Sequence, residues 1–324
     1  MYINKDTLSI IIPAYNEENN IKKILETLEN QSIYGFEVIV VDDGSYDNTA
    51  KIVKNYTPKR YSLILLEQEN KGAAVARKIA INKSISRFIA VIDCDDGIDS
   101  DTLEKALVPV LNNNNIDISL FNLKYIDNIN SQKSSLFKYY TSKKFLKGTD
   151  VFENCIKDWG VHGFGIYKKE LILKAYKLYH ELNPSDTNFL NNDEIISRIS
   201  FDISNEIAIT CGNYYFVNNN NSTTRRVNNK YFNVIHNSFI LLTYIKDKRE
   251  KKETLKISKD INSLIISTIW GVTLRYIRWN KYLSKEEKLQ WKLVIKDSAN
   301  KISKSKVNRN LKENIKLLFI NYLI

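Results

Sequence analysis

The stretch Leu8-Ser9-Ile10-Ile11-Ile12-Pro13-Ala14-Tyr15-Asn16-Glu17 decides how the first third of this chain is read. Residues 8–12 form a short apolar run holding one serine, and Pro13, which has no N–H for a sheet ladder, ends it. A run with no polar alternation predicts a strand covered on both faces. Just beyond it, residues 17–30 place Ile21, Ile24, Leu25 and Leu28 at helical spacing. The pattern then repeats. Strands are predicted at 37–41, 62–66 and 87–92, with helices from Asp47, over 72–84 and over 101–111. Such alternation predicts an α/β fold with right-handed crossovers and a mostly parallel sheet under helices on both faces.

The pattern changes from Ile116. Segments 117–126 and 134–140 read as a longer strand pair, and 149–156, 169–178 and 189–200 as helices. A stretch with Gly160, Gly163 and Gly165 reads as irregular, and 207–210 and 214–217 as short strands. After Lys230 only helices are predicted, near 230–249, 253–277, 284–304 and 306–320. The expected organisation is a catalytic domain over 1–221, with halves 1–111 and 112–221, and a basic helical region over 222–324.

Charge separates the same parts. Residues 222–324 carry 23 Lys+Arg against 8 Asp+Glu, whereas the rest is slightly acidic. That asymmetry suggests metal chemistry in front and, behind, either an anionic membrane surface, a second subunit, or simply solvated helical faces. Cys94, Cys155 and Cys211 are odd in number and far apart, which argues against a disulfide framework or zinc site and fits a reducing compartment. No run of about 18 apolar residues is present, and the start lacks a signal-peptide pattern, so a cytoplasmic protein is expected, peripheral to the membrane at most.

In an open parallel sheet, ligands collect beyond the carboxyl ends of the strands. Here the first strand runs into Pro13, Tyr15 and Glu17, the second into Asp42-Asp43-Gly44-Ser45, and the fourth into Asp93-Cys94-Asp95-Asp96. The third is followed by Asn70-Lys71-Gly72, with Arg77 a turn and a half into the next helix. So many carboxylates at one rim repel unless a cation lies among them. Asp93 and Asp95, two apart on an extended segment, point to the same side and suit Mg²⁺ or Mn²⁺. Neither a dinucleotide-binding glycine turn nor a Walker loop is present.

These motifs, Ser9 to Glu17, Val40 to Ser45, Asn70 to Arg77 and Ile92 to Asp96, stand in the order and spacing that resembles family 2 of the glycosyltransferases. The resemblance covers about residues 8–110. It implies a GT-A-like fold and an inverting, metal-dependent sugar transfer from a nucleotide-diphosphate sugar, UDP-linked by default, to a saccharide or lipid-linked acceptor. It implies that Pro13, Tyr15 and Glu17 line the nucleotide pocket, that Asp43 or Asp42 meets the base, and that Lys71, Cys94 and Arg77 lie near the donor. Asp93 would hold ribose or sugar, and Asp95 the metal. The general base would come from Asp193, with Glu194 as its rival, at a helix start where the dipole favours an ionised carboxylate.

Further contacts are open to two readings. Trp159 and His162 either meet the acceptor or diphosphate or pack a turn, and Arg225 and Arg226 either clamp the diphosphate beside a hinge at 218–224 or lie in a solvated loop. A sugar nucleotidyltransferase would need a glycine- and arginine-rich phosphate loop where Pro13 to Glu17 stand. A nucleic-acid or polyanion binder would interleave aromatics with the basic patch, yet the tail aromatics follow helical core spacing, so no nucleic-acid partner is expected. A homodimer fits the basic tail as well as a membrane does.

Overall fold

The structure is a computed structural model that describes residues 1–127, 134–183, 190–218, 226–249, 255–305 and 309–324. The chain forms two compact units interleaved in sequence. The first holds Met1–Phe152, Gly160–Leu178 and Ile199–Asn219; the second holds Glu153–Trp159, Tyr179–Arg198 and Asn220–Ile324.

The first unit is a GT-A-like mixed sheet with helices. Strands β1 (Leu8–Ala14), β2 (Glu37–Asp42), β3 (Ser62–Glu67) and β4 (Phe88–Val91) are all parallel, in the order β3-β2-β1-β4. Every residue of β2 and all but Pro13 of β1 are buried, which is why their apolar runs are unbroken. Helices α1 (Ile21–Glu29), α2 (Thr49–Asn55), α3 (Ala73–Lys83) and α4 (Thr102–Asn112) flank these strands. Helix α1 turns Ile21, Ile24, Leu25 and Leu28 inward, the residues its periodicity marks.

Beyond β4 the path continues through β9 (Gly165–Lys168), β6 (Ile116–Ile126), β10 (Glu206–Val217) and the two-residue β5 (Gly97–Ile98). β9 is antiparallel to both neighbours, so the complete sheet is mixed. β10 runs parallel to β6 and shifts register between Ile209 and Asn213, the irregularity that makes it read as two short strands. Short strands β7 (Ser134–Leu136) and β8 (Phe145–Lys147) pair with β6 and β10.

Helices dominate the second unit. Among its described residues, α8 (Val234–Arg249), α10 (Lys285–Ser303) and α11 (Leu311–Leu323) each pack against the long α9 (Leu255–Trp279). Ser284 with Glu287, and Asn310 with Glu313, form capping boxes that fix where α10 and α11 begin. Trp291 of α10 is fully buried against Phe232, Tyr276 and Trp279, and its indole N–H donates to the Asn229 carbonyl at 2.6 Å. These tail aromatics are packing residues. No helix among the described residues is long and apolar enough to cross a membrane.

Candidate active site

The site is built from loops leaving the carboxyl ends of β1, β2, β3 and β4. The Asp43 N–H still donates to the Ala14 carbonyl at 2.8 Å, and the chain then turns at Gly44, whose φ is +75°. Only glycine suits this turn, because a Cβ there would sit 2.8 Å from the Asn70 N. That close approach presses the second loop onto the third. Asp43 locks them: its Oδ1 accepts from Gln68 Nε2 at 2.6 Å and from the Lys71 N–H at 2.8 Å, and its Oδ2 from the Gly72 N–H at 2.8 Å.

Asp43 is thus occupied in holding the 68–72 turn, and Lys71 enters the arrangement through its backbone. Neighbouring Asp42 accepts from the Ser45 N–H at 3.2 Å with Oδ2, while its buried Oδ1 finds no hydrogen-bond partner. Of the two aspartates, Asp42 is the one with an acceptor the fold does not use.

The first and second loops form one rim. Asn16 adopts φ +56°, its N–H donates to Ser45 Oγ at 2.8 Å, and its Oδ1 accepts from the Tyr46 N–H at 3.1 Å. The N–H groups of Glu17 and Glu18 donate to Thr49 Oγ1 and Asp47 Oδ2 at 2.8 and 3.1 Å. Half-buried Tyr15 meets exposed Tyr46 edge-on, centroids 6.0 Å apart, an aromatic corner of the kind that receives a planar ring.

The acidic end of β4 divides by role. Asp96 turns inward, where its carboxylate accepts from the Tyr214 hydroxyl at 2.6 Å and from the Val217 N–H at 2.9 Å. Burial first, and Asp93 next, push its pKa well up. Asp96 therefore ties β10 to the site floor. The Cys94 thiol is buried in the core and points to the Pro13 carbonyl, 3.5 Å away. Burial, then Glu17 and the flanking aspartates, raise its pKa, so the side chain is inert. Asp93 lies 3.5 Å from the Arg77 guanidinium, and both are part-exposed.

Glu17 completes the cluster. Burial raises its pKa, and Asp95, Asp93 and Asp47 add repulsion, only partly offset by the hydrogen bond from Asn20. Glu17, Asp93 and Asp95 therefore share one negative field. Among the described residues no three His, Cys, Asp or Glu side chains surround a single point as a ready-made metal cage. Mg²⁺ and Mn²⁺ in phosphate-handling sites need only one or two carboxylates and take their other ligands from phosphate and water. The donor set of Glu17, Asp93 and Asp95 fits such an ion.

His162 follows the packing one of its two readings. It is buried among Phe137, Tyr139 and Phe164, and both its nitrogens are used. The Phe164 N–H donates to Nδ1 at 3.2 Å, so Nε2 carries the proton and donates to the Tyr139 hydroxyl at 2.8 Å; that hydroxyl donates to the Phe121 carbonyl at 3.0 Å. Nothing remains for a diphosphate. Burial lowers its pKa to about 3. Arg226 is exposed; Arg225 and all of the proposed 218–224 hinge except Asn218 lie outside the described residues.

The base candidates belong to the second unit, at the start of α7 (Asn192–Ile203). Asp193 is exposed. Glu194 is held between Asn191 Nδ2 at 3.3 Å and Arg198 NH1 at 3.2 Å, and burial raises its pKa against the opposing pull of Arg198. Arg198, itself buried, stacks its guanidinium 3.9 Å from the Trp159 ring centroid and donates Nε–H to the Cys155 carbonyl at 2.7 Å. Trp159 thus has one face covered by a cation rather than open to a sugar. Arg198 carries no functional mark in the sequence; its sole signal is its place one helical turn after Glu194.

The pattern of Glycosyl transferase family 2 matches residues 9–174, and the chain belongs to that family. It is 39% identical over 105 residues to the putative teichuronic acid biosynthesis glycosyltransferase TuaG of Bacillus subtilis, covering 32% of this chain and 41% of that protein. It is 29% identical over 206 residues to the UDP-Glc:alpha-D-GlcNAc-diphosphoundecaprenol beta-1,3-glucosyltransferase WfgD of Escherichia coli, covering 63% and 74%. The chain spans less than half of some relatives it matches, 29% of the glycosyltransferase GlyA of Streptococcus pneumoniae and 49% of the putative glycosyltransferase EpsH of B. subtilis. Among solved structures, S. aureus TarS 1-349 in complex with UDP superposes with a TM-score of 0.67 at 18% identity, over 98% of this chain and 87% of that one. This likeness extends the shared fold into the helical C-terminal part.

Proposed function

We propose that this chain is an inverting glycosyltransferase of bacterial surface-polysaccharide synthesis, using a UDP-linked hexose or N-acetylhexosamine and a saccharide or lipid-linked acceptor. The observation that carries the reading is the meeting of Glu17, Asp93 and Asp95 in one field beside the Asp43-clamped turn, within a family 2 chain. Two relatives support the class of pathway: one is a putative teichuronic acid biosynthesis glycosyltransferase, and another a glucosyltransferase acting on a diphosphoundecaprenol-linked sugar.

In this reading Tyr15 receives the uracil ring and the unused Asp42 oxygen accepts from the base. Asp93, oriented by Arg77, holds ribose or sugar hydroxyls, and Lys71 lies at the mouth. Asp95, with Asp93 beside it, would hold Mg²⁺ or Mn²⁺, which supplies charge neutralisation for the departing diphosphate. Glu194, in preference to Asp193, takes the proton of the acceptor hydroxyl. The acceptor oxygen bonds to the anomeric carbon as the bond from that carbon to the phosphate oxygen breaks, and UDP leaves with the electron pair. A base with a raised pKa is better matched to neutral pH than an ordinary carboxylate.

Peripheral attachment to an anionic bilayer belongs to the same proposal. Helix α11 buries Leu317 and Ile320 on one side and exposes Leu311, Ile315, Leu318, Phe319 and Tyr322 on the other, with Lys312 alongside. Helix α10 likewise exposes Leu289 and Leu293 beside Lys285 and Lys296. Apolar stripes bordered by lysines, in a region of net charge +15, match an anionic lipid surface.

The test is a panel of nucleotide sugars assayed for UDP or other nucleotide release with Mn²⁺ or Mg²⁺. Release from one UDP-sugar above all others supports the reading; no release from any donor, with salt-sensitive DNA binding instead, would replace it with polyanion binding.

A further inference from the structure

Strand β3 closes one end of the sheet, and among the described residues no strand pairs with its outer side. The opposite end is β5, only two residues long and too short to offer a ladder. β3 differs. It runs six residues against β2 without a register shift and carries Leu63, Ile64, Leu65 and Leu66, all half-buried. From Tyr61 to Leu66 it holds none of the usual guards of an open edge, neither lysine nor proline nor bulge.

The hydrogen bonds fix which groups point outward. The Ser62 N–H donates to the Phe36 carbonyl at 3.0 Å, and the Gln68 N–H to the Asp42 carbonyl at 3.0 Å. Successive residues of a strand turn their backbone groups to opposite sides, so Ser62, Ile64, Leu66 and Gln68 serve β2. The N–H and C=O groups of Leu63, Leu65 and Glu67 therefore face away from the sheet. Side chains alternate as well: Leu63 and Leu65 pack toward the core with Ile52 and Tyr56, and Ile64 and Leu66 lie on the other face.

Charge sets the direction a partner strand would take. Lys59 and Arg60 precede β3, and Glu67 and Glu69 stand at its end. A copy of the same strand laid antiparallel puts the basic start against the acidic end; a parallel copy puts like against like. Lys54 already meets Glu67 at 2.9 Å, and Arg60 donates to the Gln31 carbonyl at 2.8 Å. Lys59 and Glu69, both exposed, are the pair left for the partner. The register that sets Lys59 against Glu69 also sets Leu63 against Leu65 and Ile64 against its own copy, with outward groups meeting outward groups. Sliding by two residues either way sets Lys59 against Lys71, or against the Glu67 that Lys54 holds.

We propose that β3 pairs antiparallel with β3 of a second copy of this chain, across a twofold axis at Ile64. The pairing completes the open ladder, covers the half-exposed leucines and isoleucine, and repeats the Lys59–Glu69 match at both ends.

The experiment follows the full chain by analytical ultracentrifugation over a dilution series at low salt. Wild type should dimerise in a concentration-dependent way. Lys59→Glu should weaken the dimer at least tenfold, because the axis doubles the repulsion, and Lys59→Glu with Glu69→Lys should restore it to within a few-fold. Leu318→Glu with Tyr322→Ser, on the exposed face of α11, should dimerise as wild type does. Register is read by cross-linking in a Cys211→Ser background. Ile64→Cys should form a disulfide dimer under mild oxidation, since the two copies meet as a non-hydrogen-bonded pair about 4.5 Å apart at Cα. Leu66→Cys, which faces Ser62, should not. Circular dichroism confirms that each variant is folded. A monomer at every concentration, an undiminished dimer in folded Lys59→Glu, or a charge swap that fails to restore it would each overturn the proposal. So would a dimer lost only in the α11 variant, which would place the interface on that helix, or equal cross-linking of Leu66→Cys and Ile64→Cys.

Discussion

Replacing His162 by glutamine isolates one titration beneath the candidate site. The imidazole is fully buried, neutral, and fixed as the Nε2–H tautomer by Phe164 and Tyr139, with its pKa lowered to about 3 from an unfolded value near 6.5. A histidine depressed in the fold contributes stability that is present above pH 6.5 and is lost as pH falls from there toward 3. At pH 4.5 the unfolded chain binds the proton and the folded chain does not. Two pH units at about 1.4 kcal/mol each give a loss of roughly 2–3 kcal/mol between pH 7 and 4.5. Glutamine retains an amide donor for the Tyr139 hydroxyl but does not titrate. Urea melts at pH 7, 5.5 and 4.5 should therefore show a steeper fall for wild type than for His162→Gln, by that roughly 2–3 kcal/mol, whatever the variant's baseline. Every other titrating group is common to both proteins and cancels. Equal losses, or an imidazole that titrates near pH 6.5 by NMR in the folded chain, would refute the buried neutral state and reopen His162 to contact with substrate.

Glu194→Gln should lower transfer at least 100-fold with UDP affinity preserved, and Asp193→Asn should stay within a few-fold of wild type; the reverse ranking would return the base to Asp193. Asp43→Ala removes a carboxylate that accepts three hydrogen bonds, two of them from the backbone of the 70–72 turn. It should cost on the order of 3 kcal/mol in urea melts and weaken UDP binding as well, whereas unchanged stability would mean the clamp is dispensable. Leu318→Glu with Tyr322→Ser should abolish co-sedimentation with phosphatidylglycerol vesicles, and wild type should be released by high salt; failure of wild type to sediment at low salt would leave that face for another partner.

How much was legible in the sequence follows from how local each cause is. Residues 8–12 and 37–41 announce buried strands because apolar continuity is a local property, and α1 appears in four residues at helical spacing. β9 does not, since Gly165-Ile-Tyr-Lys168 is too short to carry a period, and its antiparallel insertion between β4 and β6 depends on both neighbours. The acidic loops at the strand ends were visible as a group. Their division of labour was not, because the partners lie far along the chain: Asp43 serves a turn 25 to 29 residues on, and Asp96 a strand more than 100 residues on. His162 stayed open between two readings for the same reason, its burial being set by Phe137, Tyr139 and Phe164 together. Asp193 and Glu194 are adjacent in sequence but about 100° apart around a helix, so only the surroundings of α7 separate an exposed carboxylate from one facing a cavity.

UDP affinity, measured calorimetrically with and without Mn²⁺ for wild type and Asp95→Asn, tests the acidic rim most directly. Wild type should bind UDP at least tenfold more tightly when Mn²⁺ is present, and Asp95→Asn should keep the metal-free affinity while losing that increment. An increment of the same size in both proteins would contradict the account.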